Sequence, residues 1–388
     1  MQITAVDVCT YRRPGRSFVW ALVRTDAGIT GLGEATLMGR SQSVRSCLGE
    51  MGEVIRGMDP LASEDIWWRL YLGDRRRGGA VTASAMGAID VALWDIRGQA
   101  LGVPIYRLLG GPLRDRVRLY NHAQLPTPES VPDALGPLID DGWTAAKFMA
   151  TPSDPGAGPR PERFDPRPAV RRGAAVVAAA REFVGPEFDL LLETHGRLRP
   201  VDVVAFAERV KDFDILFLEE PTRFEAAESF RMLRERCPTP LATGERLYSR
   251  WQFQPLIENE WVDIIQPDIV HAHGITEVKK IADYADAHLI SLAPHNPQSP
   301  VNTMASLHLD LACHNFLIQE VIWPFPEQFH EIFDGIPEPR RGYMYPPDAP
   351  GLGITLDLKR ARALERKRRH RPAPTDELQL PDGTWIDF

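Results

Sequence analysis

Three glutamates stand at equal intervals. Glu193 closes "LLLE", Glu219 closes "LFLE" and Glu245 follows "LATG", with a step of 26 residues each time. The runs before them are short and apolar, as in strands buried on both faces. A single glutamate after a strand is most often structural. A shared interval is different, because independent surface acids have no reason to keep one. Two carboxylates about 4 Å apart repel by roughly 4 kcal/mol at an effective dielectric of about 20, so three brought together demand protons or a cation. An all-oxygen set with room for water and substrate suits Mg²⁺. Mn²⁺ is accepted by the same ligands, whereas Zn²⁺ more often recruits His or Cys. In "LFLEEP", Glu219 is the expected ligand and Glu220 its support.

The series continues along the chain. Asp268 ends "VDIIQPD", His295 follows "LISLAP" and Glu320 ends "NFLIQE", at steps of 23, 27 and 25 residues. Upstream, Lys147 lies in "TAAKFM". His195 falls two residues past Glu193, on the same face of an extended strand. A histidine bonded to an aspartate is oriented and made more basic, so His295 with Asp268 is a candidate general base. His195, on the opposite side of the metal, is the candidate general acid, and Lys147 adds positive charge near a substrate carboxylate. Removal of a proton α to a carboxylate, followed by loss of a leaving group, uses the whole set.

For these residues to meet, their strands must be parallel neighbours that open at one mouth. From residue 117 the pattern supplies such strands: "VRLYNH", "TAAKFM", "DLLLETH", "ILFLEEP", "TPLATGE", "VDIIQPD", "HLISLAPH" and "NFLIQE". Helical patterns such as "VDVVAFAERVKDF" and "GITEVKKIADYADAH" lie between them. This alternation predicts a parallel α/β barrel. A doubly wound sheet is the rival, but no GxGxxG stands at a strand-to-helix turn. Before residue 117, "ITAVDVCTYR" and "SFVWALVRTDAGITGLGEA" alternate like half-exposed strands. Helical periodicity follows, clearest in "TASAMGAIDVALWDIRGQALG", where Ala85, Ile89, Ala92, Leu93, Ile96 and Ala100 share one face. This is the pattern of an α+β domain. "TPSDPGAGPRPERFDPRPA" reads as a long loop after the second barrel strand. The stretch from Lys359 to Arg371 carries eight Lys or Arg in thirteen residues and reads as a solvated surface.

Composition narrows the setting. With 388 residues, 44% hydrophobic and 25% charged, the chain has an ordinary globular balance. A net charge of −8 gives no reason to expect nucleic acid as a partner. Cys9, Cys47, Cys237 and Cys313 form no CxxC pair, which fits a reducing compartment. No apolar run nears the ~18 residues of a membrane span, and "MQITAVDVCTYRR" lacks the apolar core of a signal peptide. The expectation is a cytoplasmic protein whose partner is a small molecule, neither nucleic acid nor membrane.

The motifs carry a resemblance. "GAIDVALWDIRGQALGVPIYRLLGG", "LLLETHGRL", "LFLEEP", "ATGERLYSR", "IIQPDIVHAHGI", "LAPHNPQSP", "FLIQE" and "PGLGI", in order over about residues 30 to 355, resemble the enolase superfamily. Within it they are similar to the mandelate racemase subgroup and its galactonate dehydratase-like members. The resemblance implies a modified (β/α)₇β barrel over residues 117–335 and an α+β N-terminal capping domain over residues 1–116. It implies a C-terminal segment, 336–388, packing back on the cap. It implies Mg²⁺ on Glu193, Glu219 and Glu245, an Asp268–His295 dyad, Glu320 hydrogen-bonding an enolate oxygen, Lys147 near the substrate carboxylate, and a homo-oligomer.

Two departures matter. The subgroup's racemases carry Lys-x-Lys at the second strand, and here it reads Lys147-Phe148-Met149. Methionine cannot take a proton, so two-base racemisation is disfavoured. The first metal acid is Glu193, where the pattern more often has Asp. A histidine at the place of His195 acts in the galactonate dehydratase-like members as acid on the departing β-hydroxyl. The expected function is therefore Mg²⁺-dependent dehydration of a sugar acid, galactonate-like, to a 2-keto-3-deoxy acid. His295 removes the proton and His195 protonates the leaving hydroxide, or His195 does both. An epimerase or cycloisomerase using the same enolate is one alternative, and a non-catalytic homologue that binds acid sugars is another. His271 and His273 read as structural, His308 and His314 as ordinary, and Trp67 and Trp68 as core. Arg12, Arg13, Arg16 and Trp20 fall where a capping loop would close over substrate.

Overall fold

Alternation in the first strands builds an antiparallel meander of β1 (Ile3–Arg13), β2 (Arg16–Thr25) and β3 (Thr30–Glu34). The structure, a computed structural model, describes residues 1–13, 16–152 and 164–364. Most of the Pro/Gly-rich loop, most of the basic stretch and the C-terminal "LQLPDGTWIDF" lie outside those residues. On β2, Val19, Ala21 and Val23 pack against α1 (Ser41–Ile55), α2 (Ser63–Gly73) and α3 (Ala80–Leu101). The intervening Phe18, Trp20 and Leu22 join the core shared with the barrel. The expected half-exposed strand is thus buried on both faces, because a second domain covers the face that alternation assigns to solvent.

Helix α3 is likewise buried on more than its one predicted face. Small residues let it wedge between the meander and the barrel. A Cβ on Gly87 would lie 2.5 Å from the Val270 carbonyl oxygen, so only glycine admits that approach. Two buried carboxylates of α3 then serve backbone donors. Asp95 accepts from Leu32 N (2.9 Å) and Leu352 N (2.8 Å). Asp90 accepts from Thr276 N (2.9 Å), in the first turn of the barrel helix α10 (Ile275–Asp286). Gly274, at φ +91°, leaves room for it, since a Cβ there would sit 2.4 Å from Asp90 Oδ2.

Burial pushes the Asp90 carboxyl up to about 7. A raised carboxylate pKa means the folded state holds a proton that the unfolded chain releases near pH 4. Its contribution to stability is therefore full at low pH and falls as pH rises toward 7. Asp90→Asn keeps an acceptor for Thr276 N without the charge. The difference in unfolding free energy, variant minus wild type, should grow from pH 5 to pH 8, toward a gain of a few kcal/mol. A flat difference across that range in thermal unfolding would contradict this account.

From β4 (Val117–His122) onward the chain forms parallel strands: β5 (Ala145–Met149), β6 (Asp189–Glu193), β7 (Ile215–Glu219), β8 (Leu241–Thr243), β9 (Ile264–Ile265), β10 (Ser291–Leu292) and β11 (Gln319–Glu320). They lie in the order β10-β9-β8-β7-β6-β5-β4-β11. A parallel bridge between Leu292 and Phe316 closes the ring. α5 (Val131–Asp140), α6 (Pro166–Val184), α7 (Pro200–Val210), α8 (Glu228–Arg236), α9 (Arg250–Glu258), α10 and α11 (Pro300–Asp310) alternate with these strands; the short α4 (Ile105–Leu108) precedes β4. Tyr120, Ala145, Leu191, Phe217, Ala242, Ile264, Ala293 and Ile318 fill the interior, one from each strand or its extension. Two residues beyond each of six of these stand His122, Lys147, Glu193, Glu219, His295 and Glu320. Strand alternation alone places that polar layer at the mouth. After β11 the chain returns: Tyr343–Met344 pairs antiparallel with β4, and Leu358–Leu364 packs on β1. Among the described residues, no helix is long and apolar enough to cross a membrane.

Candidate active site

One oxygen from each of Glu193, Glu219 and Glu245 lies within 4.8 Å of the others. Glu245 reaches the group differently from its neighbours. On β8 the place two residues past Ala242 belongs to Gly244, at φ +148°, and the turn there brings Glu245 in. Lys147 Nζ stands 2.7 Å from Glu219 Oε1, 2.8 Å from Glu320 Oε1 and 3.7 Å from Glu193 Oε2. Burial above all raises the Glu193 and Glu219 carboxyls, and repulsion between acids adds to this against the pull of Lys147. Glu193 Oε2 and Glu219 Oε2 are buried without a hydrogen-bond partner. Converging carboxylates with orphaned oxygens fit a hard divalent cation. Glu220, at φ +40°, pairs with Arg246 at 2.7 Å, and its pKa is raised by burial and by the nearby Glu245 and Glu193 charges.

Two imidazoles flank the triad. His195, at φ +49°, donates its backbone N–H to Glu193 Oε1 (2.5 Å), with its ring Nε2 3.9 Å from Glu193 Oε2. The surrounding protein desolvates the ring and pushes its pKa down to about 4, although its outer face reaches solvent. His295 bonds Asp268 Oδ2 through Nδ1 (2.8 Å) and presents Nε2 to Glu245 Oε2 (3.1 Å). Burial opposes its charged form, but Glu245, Glu320 and Asp268 outweigh it and push the pKa up to about 10. The Glu245 charge that holds this proton is the one the triad would share with a cation. Occupancy of the site and a free base at His295 therefore go together.

Glu320 is saturated with donors. Its Oε1 receives His122 Nε2 (2.5 Å) and Lys147, and its Oε2 receives Asn296 N (2.6 Å). Burial opposes ionisation, but Lys147, His295 and His122 hold the carboxyl well below its ordinary range. In this arrangement both Glu320 oxygens accept from their neighbours. The donor beside it that faces the cavity is Lys147.

The cavity at this mouth measures about 380 Å³ and is lined by Lys147, His195, Glu245, His295 and Glu320, with Arg16, Leu37 and Met38 reaching in from the cap. That is the volume of a small-molecule site. His122, Arg246 and Tyr248 also line it, and strand-end spacing had flagged none of them. His122 obeys the same rule as the others, two residues past the inward Tyr120. Arg246 follows a ligand but belongs to no period. His271, expected to be structural, lines the cavity as well. Ser84 Oγ donates to Ala80 O (2.6 Å), so it accepts from His271 Nδ1 (2.8 Å), which leaves Nε2 an acceptor. Burial lowers the pKa of this ring and keeps it neutral. Gln298 Nε2 lies 3.4 Å from His271 Nε2, and Gln298 Oε1 accepts from Arg16 Nη2 at 2.6 Å. His273 keeps its structural reading, with Nδ1 on Tyr248 O (2.6 Å). Trp67 is core, but Trp68 is 37% exposed and is not. Its ring packs edge-on against Trp67, Tyr71 and Trp251 of the barrel helix α9 and keeps its remaining face in solvent. Of the cap residues expected over the substrate, Arg16 lines the cavity, while Trp20 is fully buried.

Known proteins resemble this chain along its whole length. Residues 4–110 match the model of the mandelate racemase / muconate lactonizing enzyme N-terminal domain, and residues 133–361 match that of the enolase C-terminal domain-like family. A D-galactonate dehydratase family member of Streptomyces bingchenggensis is 37% identical over 407 residues, covering 100% of this chain and 98% of the relative. A D-galactonate dehydratase of Ralstonia nicotianae is 36% identical, covering 95% of each chain. The crystal structure of an enolase from Pantoea ananatis with bound D-gluconate and Mg superposes with a TM-score of 0.92 at 31% identity, covering 99% of each chain.

Proposed function

Because the chain belongs to the enolase superfamily, with the mandelate racemase / muconate lactonizing enzyme N-terminal domain, we propose that it is a Mg²⁺-dependent dehydratase of a sugar acid. One observation carries the reading: two imidazoles flank a single carboxylate triad within one cavity. Elimination needs a base for the α-proton and an acid for the β-hydroxyl, and this site offers one of each. The names of the relatives and the gluconate in the Pantoea ananatis structure support an aldonate, galactonate-like substrate. Met149 stands where a racemase would place its second base.

Glu193, Glu219 and Glu245 would hold the ion. When bound, it supplies positive charge against the negative charge that builds on the substrate carboxylate as the α-proton leaves. Lys147 adds a second cation at that carboxylate, oriented by Glu320. His295 Nε2 takes the α-proton, while Asp268 holds Nδ1–H and steadies the imidazolium that forms. The electron pair left on Cα forms the Cα–Cβ double bond, and the Cβ–O bond breaks. His195 gives its proton to the departing hydroxide, which leaves as water. The enol product tautomerises to the 2-keto-3-deoxy acid. His195 is neutral in the ligand-free molecule, and the substrate carboxylate entering the same cavity acts to raise its pKa.

A stereochemically complete set of hexonic, pentonic and hexaric acids, incubated with Mg²⁺ and assayed with semicarbazide, should yield 2-keto-3-deoxy product from at least one acid. EDTA should abolish it. Silence across the set, with α-proton exchange in D₂O on the same acids, would replace dehydration by isomerisation.

A further inference from the structure

We infer that Glu34, a residue of the capping domain, positions the His295–Asp268 pair, so that the base is competent only beneath a docked cap. The inference rests on the proposed role of His295.

Glu34 ends β3 and is 2% exposed. Every group that touches its carboxylate is a donor. Ser299 N lies 3.2 Å from Oε2, and Asn302 N also lies 3.2 Å from Oε2. The two hydroxyls have no other direction to point. Thr36 Oγ1 accepts from Val19 N (3.1 Å), so its hydrogen goes to Glu34 Oε1 (2.6 Å). Ser299 Oγ accepts from Trp20 Nε1 (3.0 Å), so its hydrogen goes to Glu34 Oε2 (2.5 Å). Burial raises the pKa of this carboxyl, and Ser299, Thr36, Arg16 and Asn302 pull against it; four donors and no acceptor fit the ionised form.

This anion sits at the N-terminus of α11, where free backbone N–H groups and the helix dipole favour negative charge. It comes from another domain, 265 residues away in sequence. Ser299 ends the loop that carries His295. Asn302, whose N–H Glu34 holds, extends its side-chain amide to Asp268 Oδ1 at 3.4 Å. Both members of the pair thus connect to Glu34, one through the loop and one through Asn302. Arg16 holds Gln298 in the same loop, from the neighbouring cap strand.

Glu34→Gln puts an amide NH₂ against groups that are all donors. It should let the loop shift without touching the triad. Misplacement of a catalytic group by about 1 Å costs on the order of 10²-fold. The variant should lose about 10- to 100-fold in kcat with KM changed less than about threefold, and α-proton exchange should fall in parallel. Mg²⁺ affinity should stay at the wild-type value. Ser299→Ala removes one of the four donors and should move the same quantities less. It decides the matter if Glu34→Gln does not fold.

Histidine-selective ¹⁵N spectra of the Mg²⁺-loaded full chain supply a readout independent of turnover. The His295 Nδ1–H signal, assigned by His295→Asn, should shift or broaden in both variants. If wild type turns over none of the acids but the signal still moves, the dehydratase reading falls and the positioning role stands. If wild type is active while the variants keep its kcat, its exchange rate and its His295 signal, the positioning role is overturned. A loss confined to Mg²⁺ affinity or to KM overturns it as well.

Discussion

His295→Asn should lower kcat/KM by about 10²- to 10⁴-fold, the range of a positioned general base, and should stop exchange of the substrate α-proton with D₂O. His195→Asn should stop formation of the keto acid yet leave that exchange running. The difference follows from the two bonds each ring is placed to serve. His295 has Nδ1 committed to Asp268 at 2.8 Å, which leaves one nitrogen, Nε2, facing the cavity. A ring so held can take a proton and return it without reorienting. His195 stands on the Glu193 side of the triad, with its ring Nε2 3.9 Å from Glu193 Oε2. It meets the group that leaves from Cβ, so its loss strands the enolate, which can only take the proton back. If both steps belonged to His195, the pattern would invert: His195→Asn would lose exchange and product together, and His295→Asn would keep exchange. ¹H NMR of the α-position, run on the preferred acid with each variant, separates the two. Mg²⁺ should still raise the Tm of both, because neither imidazole belongs to the proposed ligand set.

Much of this site was legible because the barrel is periodic. One βα unit separates Glu193 from Glu219 and Glu219 from Glu245, so the unit length reappears as a spacing of acids. Alternation then orients them: Leu191 inward implies Glu193 inward, and Ile318 implies Glu320. The parts that stayed hidden come from contacts that no period records. Glu34 and Ser299 meet across 265 residues, and nothing local in "GLGEA" announces a helix end in another domain. The burial of β2 on both faces has the same origin, since Trp20 alternates toward a surface that the barrel happens to cover. The place of His271 on the cavity wall was hidden for a related reason. Its setting depends on Ser84, which α3 can bring near only because Gly87 lets the helix approach the Asp268 loop.

Glu219→Gln should separate stability from function. The buried Glu219 carboxyl is held well above its ordinary pKa, above all by desolvation, with Glu193 and Glu320 adding to it. Two charges at the 4.8 Å limit of the triad repel on the order of 3 kcal/mol at an effective dielectric of about 20. Removing one acid relieves that repulsion, and Lys147 keeps Glu320 at 2.8 Å and so is not left as an unpaired buried charge. In EDTA the variant should therefore melt above wild type. With saturating Mg²⁺ the order should reverse, because binding to the folded state alone raises stability with the ratio of free ion to Kd, and the variant lacks a ligand. Turnover should fall by at least about 10³-fold, several kcal/mol of transition-state stabilisation. Lys147→Met tests the same balance from the other side. It strips the cation from three buried acids, which is strongly destabilising when nothing replaces it, so it should melt below wild type in EDTA and recover much of the loss with Mg²⁺. Thermal unfolding of the three proteins with and without the ion decides the matter. An equal Mg²⁺-induced rise in wild type and Glu219→Gln would remove Glu219 from the metal site, and with it the reason for three acids to share one interval.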